Sequence, residues 1–308
     1  MRQTAPMAHK IIIDTDIGED IDDILVTAFA LASPEFDVLA ITTVDGDTAA
    51  RSRIARRLTA AMGRPDIPVV AGYPRAMPQP PLSYPPGTGV RQGELAPDET
   101  GLPPGCELPT DELIARLAAE HPGELYLLTI GSMTNVGQTL VRHPEVAGQV
   151  KAIVSNGGAF GSRPTEIGWN LRYDPLAAAV VARSGAPWVL LPEHATRFAG
   201  LREEDEARLR AAGTPTTEVL AKAISLWREN KPDATPTPHL SDLSVFAYLL
   251  GGWLEVRPGR VTLTLPPDGL AGLEVIEDPR GPHLLGSEVP REGGPALREL
   301  FLARVLAA

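Results

Sequence analysis

The sequence predicts an α/β protein with a doubly wound, mostly parallel sheet. Short apolar runs recur through the first two thirds of the chain, several of them continuous Val/Ile/Leu segments of the kind buried on both faces. Helix-period segments separate these runs, which implies right-handed crossovers between parallel strands. At 308 residues, with 43% hydrophobic and 22% charged content, the chain is long enough to bury a large core as one domain spanning 1–308.

Taken in order, strands are expected at Lys10–Thr15, Phe36–Val44, Ile67–Val70, Glu124–Ile130, Lys151–Ser155 and Trp188–Leu191. Between them, helices are expected at Asp20–Ala32, Thr48–Met62, Asp111–Glu120, Asn135–Val141 and Asp174–Arg183. After Leu201, "REEDEARLRAAG" and "TEVLAKAISLWREN" read as surface helices and "SDLSVFAYLLGGWL" as a more buried one. A strand pair within "GRVTLTLPPDGLAGLEVIED" and a helix in "PALRELFLARVLAA" complete a Rossmann-like core. Residues 73–105 break this rhythm with Pro and Gly, as either a lid over a site or an ordered surface excursion.

A formal charge of -11 argues against a nucleic-acid partner, which needs a dense Lys/Arg surface, but not against an uncharged nucleoside. Cys106 is the only cysteine, so an intrachain disulfide and a CxxC metal site are excluded. The sequence shows no apolar stretch of membrane-spanning length and no signal-peptide pattern at its start. A cytoplasmic protein with no membrane partner is the expectation.

Chemistry concentrates in "IIIDTDIGEDIDDILVTAFAL", residues 11–31, where Asp14, Asp16, Glu19, Asp20, Asp22 and Asp23 fall within ten positions. A buried strand over Ile11–Ile13 would bring Asp14 and Asp16 to its C-terminal end, where open α/β sheets bind ligands, with Asp20, Asp22 and Asp23 in the next helical turn. A helix N-terminus favours a nearby carboxylate by only about 0.3–1 kcal/mol, too little for a cluster this dense. Like charges would raise one another's pKa values unless a cation neutralises them. The alternative is a solvated helix start capped by Asp20 or Glu19. The D-x-D-x-G pattern lacks the Glu at the twelfth position that an EF-hand loop requires. All-oxygen ligands favour calcium or magnesium, and a multi-carboxylate cage tilts toward Ca2+.

The stretch resembles the N-terminal signature of the inosine-uridine-preferring nucleoside hydrolases, where D-x-D-x-G-x-D-D follows the first strand. Four later segments are similar to that family in the same order: "LAITTVDGDTAARSRIARRL", "LYLLTIGSMTNVGQTLVRHPEV" with "KAIVSNGGAF", "WNLRYDPLAAAVVARSGAPWVLLPEHAT" and "SDLSVFAYLL". The likeness covers about residues 10 to 305. It implies calcium-dependent hydrolysis of the N-glycosidic bond of a ribonucleoside, in a homodimer or homotetramer.

Carried over residue by residue, the resemblance implies that Asp16 is both a metal ligand and the general base on a metal-bound water. Asp23, Asp242 and the main-chain carbonyl of Ile130 would complete the metal sphere, with Asp14 supporting from the strand. Asp22 would bind the ribose 2′ and 3′ hydroxyls and Asn170 would bind the sugar. Asp47 departs from the pattern, standing where an Asn is commoner; it could still accept a ribose hydroxyl, with Arg51, about one helical turn later, to balance the added charge. Asn156 in "SNGG" lies either at a strand end facing the pocket or in a purely structural turn. Trp169, Trp227 and Tyr84 are aromatic candidates for stacking on a base.

Three further departures from the family pattern matter. Ser241 replaces the usual histidine before Asp242, leaving His239 as the candidate leaving-group acid. Gly168 replaces the Glu two residues before Asn170, with Glu166 displaced, so a contact to the 5′ end of the sugar is lost or rerouted. "DIGEDIDD" is two residues longer than the common pattern and leaves the register of Asp20 open. Two alternative readings follow. One is a magnesium-dependent phosphohydrolase of the haloacid-dehalogenase type, whose D-x-D motif "IIIDTDIG" also resembles. The other is a family member that binds a ribosyl ligand with little or no turnover.

Overall fold

The computed structural model describes residues 8–77, 89–158, 168–230, 237–264 and 272–308. The strands are β1 His9–Thr15, β2 Phe36–Thr43, β3 Val69–Ala71, β4 Leu125–Thr129, β5 Ala152–Gly158, β6 Trp188–Pro192, β7 Val256–Thr264, β8 Gly272–Glu277 and β9 His283–Gly286. The helices over the first half are α1 Asp22–Ala32, α2 Thr48–Ala61, α3 Thr110–Glu120, α4 Thr134–Arg142 and α5 Val146–Gln149. Later come α6 Trp169–Tyr173, α7 Pro175–Arg183, α8 Glu203–Ala212, α9 Pro215–Asn230, α10 Leu243–Leu250 and α11 Gly294–Val305.

One sheet runs through the molecule in the order β3-β2-β1-β4-β5-β6-β9-β7-β8. From β3 to β9 the paired strands are parallel, and β7 runs antiparallel to both β9 and β8. The chain leaves β1 toward β2 and β3, then returns to the other side of β1 as β4. That reversal leaves a crevice beyond the carboxyl ends of β1 and β4, the position where such sheets hold ligands.

The apolar strands are continuous because both faces of the sheet are covered. Ile11 and Ile13 pack with Leu128 and Val154 against α1, α2, α9, α10 and α11, whereas Ile12 packs with Leu127 and Ile153 against α3, α4 and α7. Successive residues of a strand point to opposite faces, so an unbroken "III" is what a two-sided core requires.

Two expectations need adjustment. Helix α1 begins at Asp22, so Asp20 lies in the bend before it and not in its first turn. The C-terminal strand pair joins the main sheet through β9, whose four residues "HLLG" are too few to show a period. The described part of segment 73–105 is bonded to the body of the protein. Asn135 Oδ1 accepts from the Tyr73 amide (2.9 Å), Asp174 from the Met77 amide (2.8 Å), and Gly18 O from the Gln92 amide (2.9 Å). Among the described residues, no helix is long and apolar enough to cross a membrane.

Candidate active site

Asp14, the next-to-last residue of β1, lies beneath the crevice and is 1% exposed. Its Oδ1 accepts hydrogen bonds from Thr42 Oγ1 and Asn135 Nδ2, each at 2.6 Å. Burial outweighs both bonds and lifts its pKa to about 7. Its main-chain oxygen accepts from the Ile130 amide at 2.8 Å, which ties the exit of β4 to that of β1.

Asp16 stands one pleat further out and lines a cavity of about 440 Å³. Burial raises its pKa to about 7, with Arg51 opposing and Asp45, Glu19 and Asp22 adding to the rise. Arg51 is fully buried, and it donates to the main-chain oxygens of Asp16, Ile17 (3.1 Å) and Asp45 (2.8 Å). Its guanidinium lies 3.5 Å from Glu19 and 3.9 Å from Asp45. One cation thus fixes the backbone of the acidic loop while offsetting two of its charges. Asp45 has a φ of 70°, sparsely populated for a residue with a side chain.

The most deeply buried group of possible ion ligands among the described residues is Asp22, Asp23 and Asp242, which bring one carboxylate oxygen each within 4.8 Å of one another. All three are nearly inaccessible, at 5%, 4% and 4% exposed, so the solvated helix start is not what the chain builds. The N-cap of α1 is Ile21, without a side-chain cap bond. Thr15 Oγ1 donates to Asp23, and Asn156 Nδ2 donates to Asp242 Oδ1 at 2.7 Å. Desolvation first, and then the neighbouring carboxylates, pushes Asp23 and Asp242 well above the ordinary carboxylate range; for Asp22, His239 opposes the rise. A buried triad of this kind is unfavourable by itself and is relieved by a hard cation. The donor set fits one, because it is all oxygen and includes the Ile130 carbonyl in the same wall. The buried Asn156 Oδ1 has no hydrogen-bond donor among the described residues and adds another oxygen.

The remaining wall brings together residues from distant segments: Asn156, Asn170, Trp169, His239 and Ser241, with Arg91 and Glu193. Asn170 Nδ2 donates to Ile130 O at 2.8 Å and to Asn156 O at 3.3 Å. Trp169 is 41% exposed at the rim, with the Arg172 guanidinium 4.8 Å from its ring. His239 Nε2 lies 3.6 Å from Asp22 Oδ2 and 3.7 Å from Asp20 Oδ1. Asp20 is held in turn by the indole of Trp227 at 2.8 Å.

The structure does not bring Asp47 to the cavity. It is the exposed N-cap of α2, accepting from the Ala50 amide at 2.9 Å, and Arg51 serves Asp45 and Glu19 instead. Trp227, 1% exposed, is a core residue and offers no face to a base. Tyr84 and Glu166 lie outside the described residues. Glu193 and Arg91 are cavity residues that the sequence reading passed over. Glu193 follows the last residue of β6, so the strand-end rule that found Asp14 and Asp16 applied to it as well.

The model of the family "Inosine-uridine preferring nucleoside hydrolase" matches residues 11–281. The chain belongs to this family. It is an enzyme of the N-glycosyl-hydrolysing class, in a metal-dependent family. Among curated relatives, the pyrimidine-specific ribonucleoside hydrolase RihA of Citrobacter koseri is 32% identical over 254 residues, covering 79% of this chain and 80% of that protein. RihA of an Escherichia coli strain is 31% identical over 233 residues, 74% of each chain. The fold is shared with a plant nucleoside hydrolase, PpNRh1 (TM-score 0.78, 24% identity, 97% of this chain and 99% of that one). It is also shared with a purine-preferring ribonucleoside hydrolase from Gardnerella vaginalis (TM-score 0.77, 22% identity, 97% and 98%).

Proposed function

We propose that this family member hydrolyses the N-glycosidic bond of ribonucleosides, with calcium, to give ribose and free base. The observation that carries the reading is the meeting of Asp22, Asp23 and Asp242 within 4.8 Å beside Asp16, at the carboxyl edge of a parallel sheet. Asp16, Asp23, Asp242 and the Ile130 carbonyl would hold the ion, and the closeness of Asp22 to Asp23 and Asp242 supports a place for it beside them. Bound there, calcium supplies Lewis acidity toward water and the ribose hydroxyls.

The chain's own groups account for the rest. Asp16 takes the proton of the attacking water at its carboxylate. Asp22 accepts hydrogen bonds from the 2′ and 3′ hydroxyls, with Asn170 and Asn156 fixing the ring from the facing wall. Holding the sugar rigid against the water is the proximity contribution. As the glycosidic bond breaks, positive charge grows on the sugar, and the surrounding carboxylates stabilise it. His239 gives a proton to the departing base from a position 3.6 Å from Asp22 and 3.7 Å from Asp20. Trp169 at the rim offers the base an aromatic face.

The partner in this reading is a small ribonucleoside, not nucleic acid or a membrane, in keeping with the charge of -11. The family resemblance carries a homodimer or homotetramer with it, and the single cysteine fits a reducing cytoplasm. A haloacid-dehalogenase-type phosphohydrolase draws no support, because the cationic groups among the described residues lining the cavity are Arg91 and His239, and none of those lining residues is a lysine. The test is release of free base from a panel including inosine, uridine, adenosine and cytidine, beside p-nitrophenyl phosphate. Release from at least one nucleoside supports the reading. Tight binding of a ribose analogue without any release would instead identify a non-catalytic binder.

A further inference from the structure

Gly168 stands where the backbone leaves no room for a side chain. A Cβ there would lie 1.9 Å from the main-chain oxygen of Gly157 and 2.6 Å from Glu193 Oε1. The first contact is with backbone and cannot be relieved by a rotamer change. Glu193 reaches this spot from a different element. Its amide donates to Gly158 O at 3.0 Å just beyond β6, and its Oε1 accepts from the Trp169 amide at the start of α6. The same carboxylate lines the cavity together with Asn170 and Trp169.

We propose that Glu193 binds the 5′ hydroxyl of the ribosyl substrate and selects against a phosphorylated 5′ end. This rests on the ribonucleoside reading above. If the cis-diol faces Asp22 and the ion-binding carboxylates, the sugar has one hydroxyl left, on C5′. A carboxylate is acceptor-only and has about four lone-pair sites, so the bonds from the Trp169 and Asn170 amides leave capacity for that donor. A 5′-phosphate placed there would bring a dianion against Glu193 in a cavity where Asp16, Glu19, Asp20, Asp22, Asp23 and Asp242 outnumber Arg91 and His239, with Arg172 beside Glu193 a partial offset. Repulsion of like charges in a partly desolvated site would exclude it. Glu193 is therefore both the support of α6 and the group that reads the end of the sugar.

The test compares wild type, Glu193→Ala and Glu193→Gln on three ligands: a ribonucleoside that the wild type cleaves, its 5′-deoxy analogue and its 5′-monophosphate. Wild type is expected to prefer the parent over the 5′-deoxy analogue by about tenfold or more in kcat/KM, since a site built to hydrogen-bond a hydroxyl rejects the analogue lacking it. In Glu193→Ala that ratio falls to near one. Glu193→Gln keeps an acceptor for the Trp169 amide, so it serves if the alanine variant does not fold; its ratio narrows, and its relative rate on the 5′-monophosphate rises about tenfold with the charge removed. An unchanged ratio in Glu193→Gln, or an equal loss on parent and 5′-deoxy analogue, means that Glu193 only supports α6 and overturns the proposal. Failure of the wild type to cleave any nucleoside would overturn the hydrolase reading itself, a separate result.

Discussion

Asn156 Nδ2 donates to Asp242 Oδ1 at 2.7 Å, joining the end of β5 to the start of α10 across a sequence separation of 86 residues. This bond aims a carboxylate that burial alone would favour in its neutral form. Replacing Asn156 by Ala should lower calcium affinity by about 10–100-fold, the usual effect of losing a group that orients a metal ligand. Calorimetric titration of the chelated protein measures it. Unchanged affinity would mean that Asp242 is held by other contacts or is not a ligand.

Asp16→Asn removes the proposed base while keeping the side-chain volume. Turnover should fall by about 10²–10⁴-fold with a normal circular dichroism spectrum. Ordinary turnover in this variant would assign the base elsewhere.

His239→Gln separates departure of the base from attack by water. A natural nucleoside needs its base protonated, so kcat should fall by about 10²-fold. The leaving group of p-nitrophenyl riboside departs as a stable anion, so its hydrolysis should change little. Equal losses on both substrates would give His239 a different role.

Stability should depend on pH in a direction set by the acidic floor. An unfolded Asp titrates near 3.8, but folded Asp14 and Asp16 keep their protons to about 7. Between these values the native state binds more protons, so this contribution is fully present below the unfolded value and lost as pH rises through about 7. Chelated protein should therefore melt at a lower temperature at pH 8 than at pH 5.5. Calcium, which competes with these protons, should stabilise the chelated protein by about 2.7 kcal/mol at a hundredfold excess over Kd, and at one fixed concentration it should stabilise more at pH 8 than at pH 5.5. Calorimetric scans at the two pH values, with and without calcium, check both statements.

Gly168→Ala tests the close approach at the start of α6. The 1.9 Å contact with Gly157 O forces the backbone to move, at a cost of about 1–3 kcal/mol. Denaturant unfolding should register that loss. An unaffected midpoint would mean that this backbone is slack.

The local part of the site was legible from the sequence. "IIIDTD" announces a two-sided strand with carboxylates at its end, and Asp14, Asp22 and Asp23 lie where that pattern places them. Residues far along the chain carry no such period. Asp242, Asn156 and Asn170 were placed through ordered family motifs, because nothing in local spacing says that β5, α6 and α10 converge. Asp47 shows the limit of such transfer: an Asp before a helix can cap it or face a ligand, and here the Ala50 amide claims the side chain. Glu193 escaped notice because it is isolated in sequence and becomes part of the acidic wall only when β6 lines up beside β5.

The central claim is that the buried carboxylates form a cation site on which nucleoside cleavage depends. The most direct test follows base release from the best nucleoside in the panel by chelated enzyme, before and after calcium is added back. Near-zero release without the ion and full recovery at about one equivalent per chain are expected. Undiminished release from enzyme shown by elemental analysis to be free of divalent metal would contradict it.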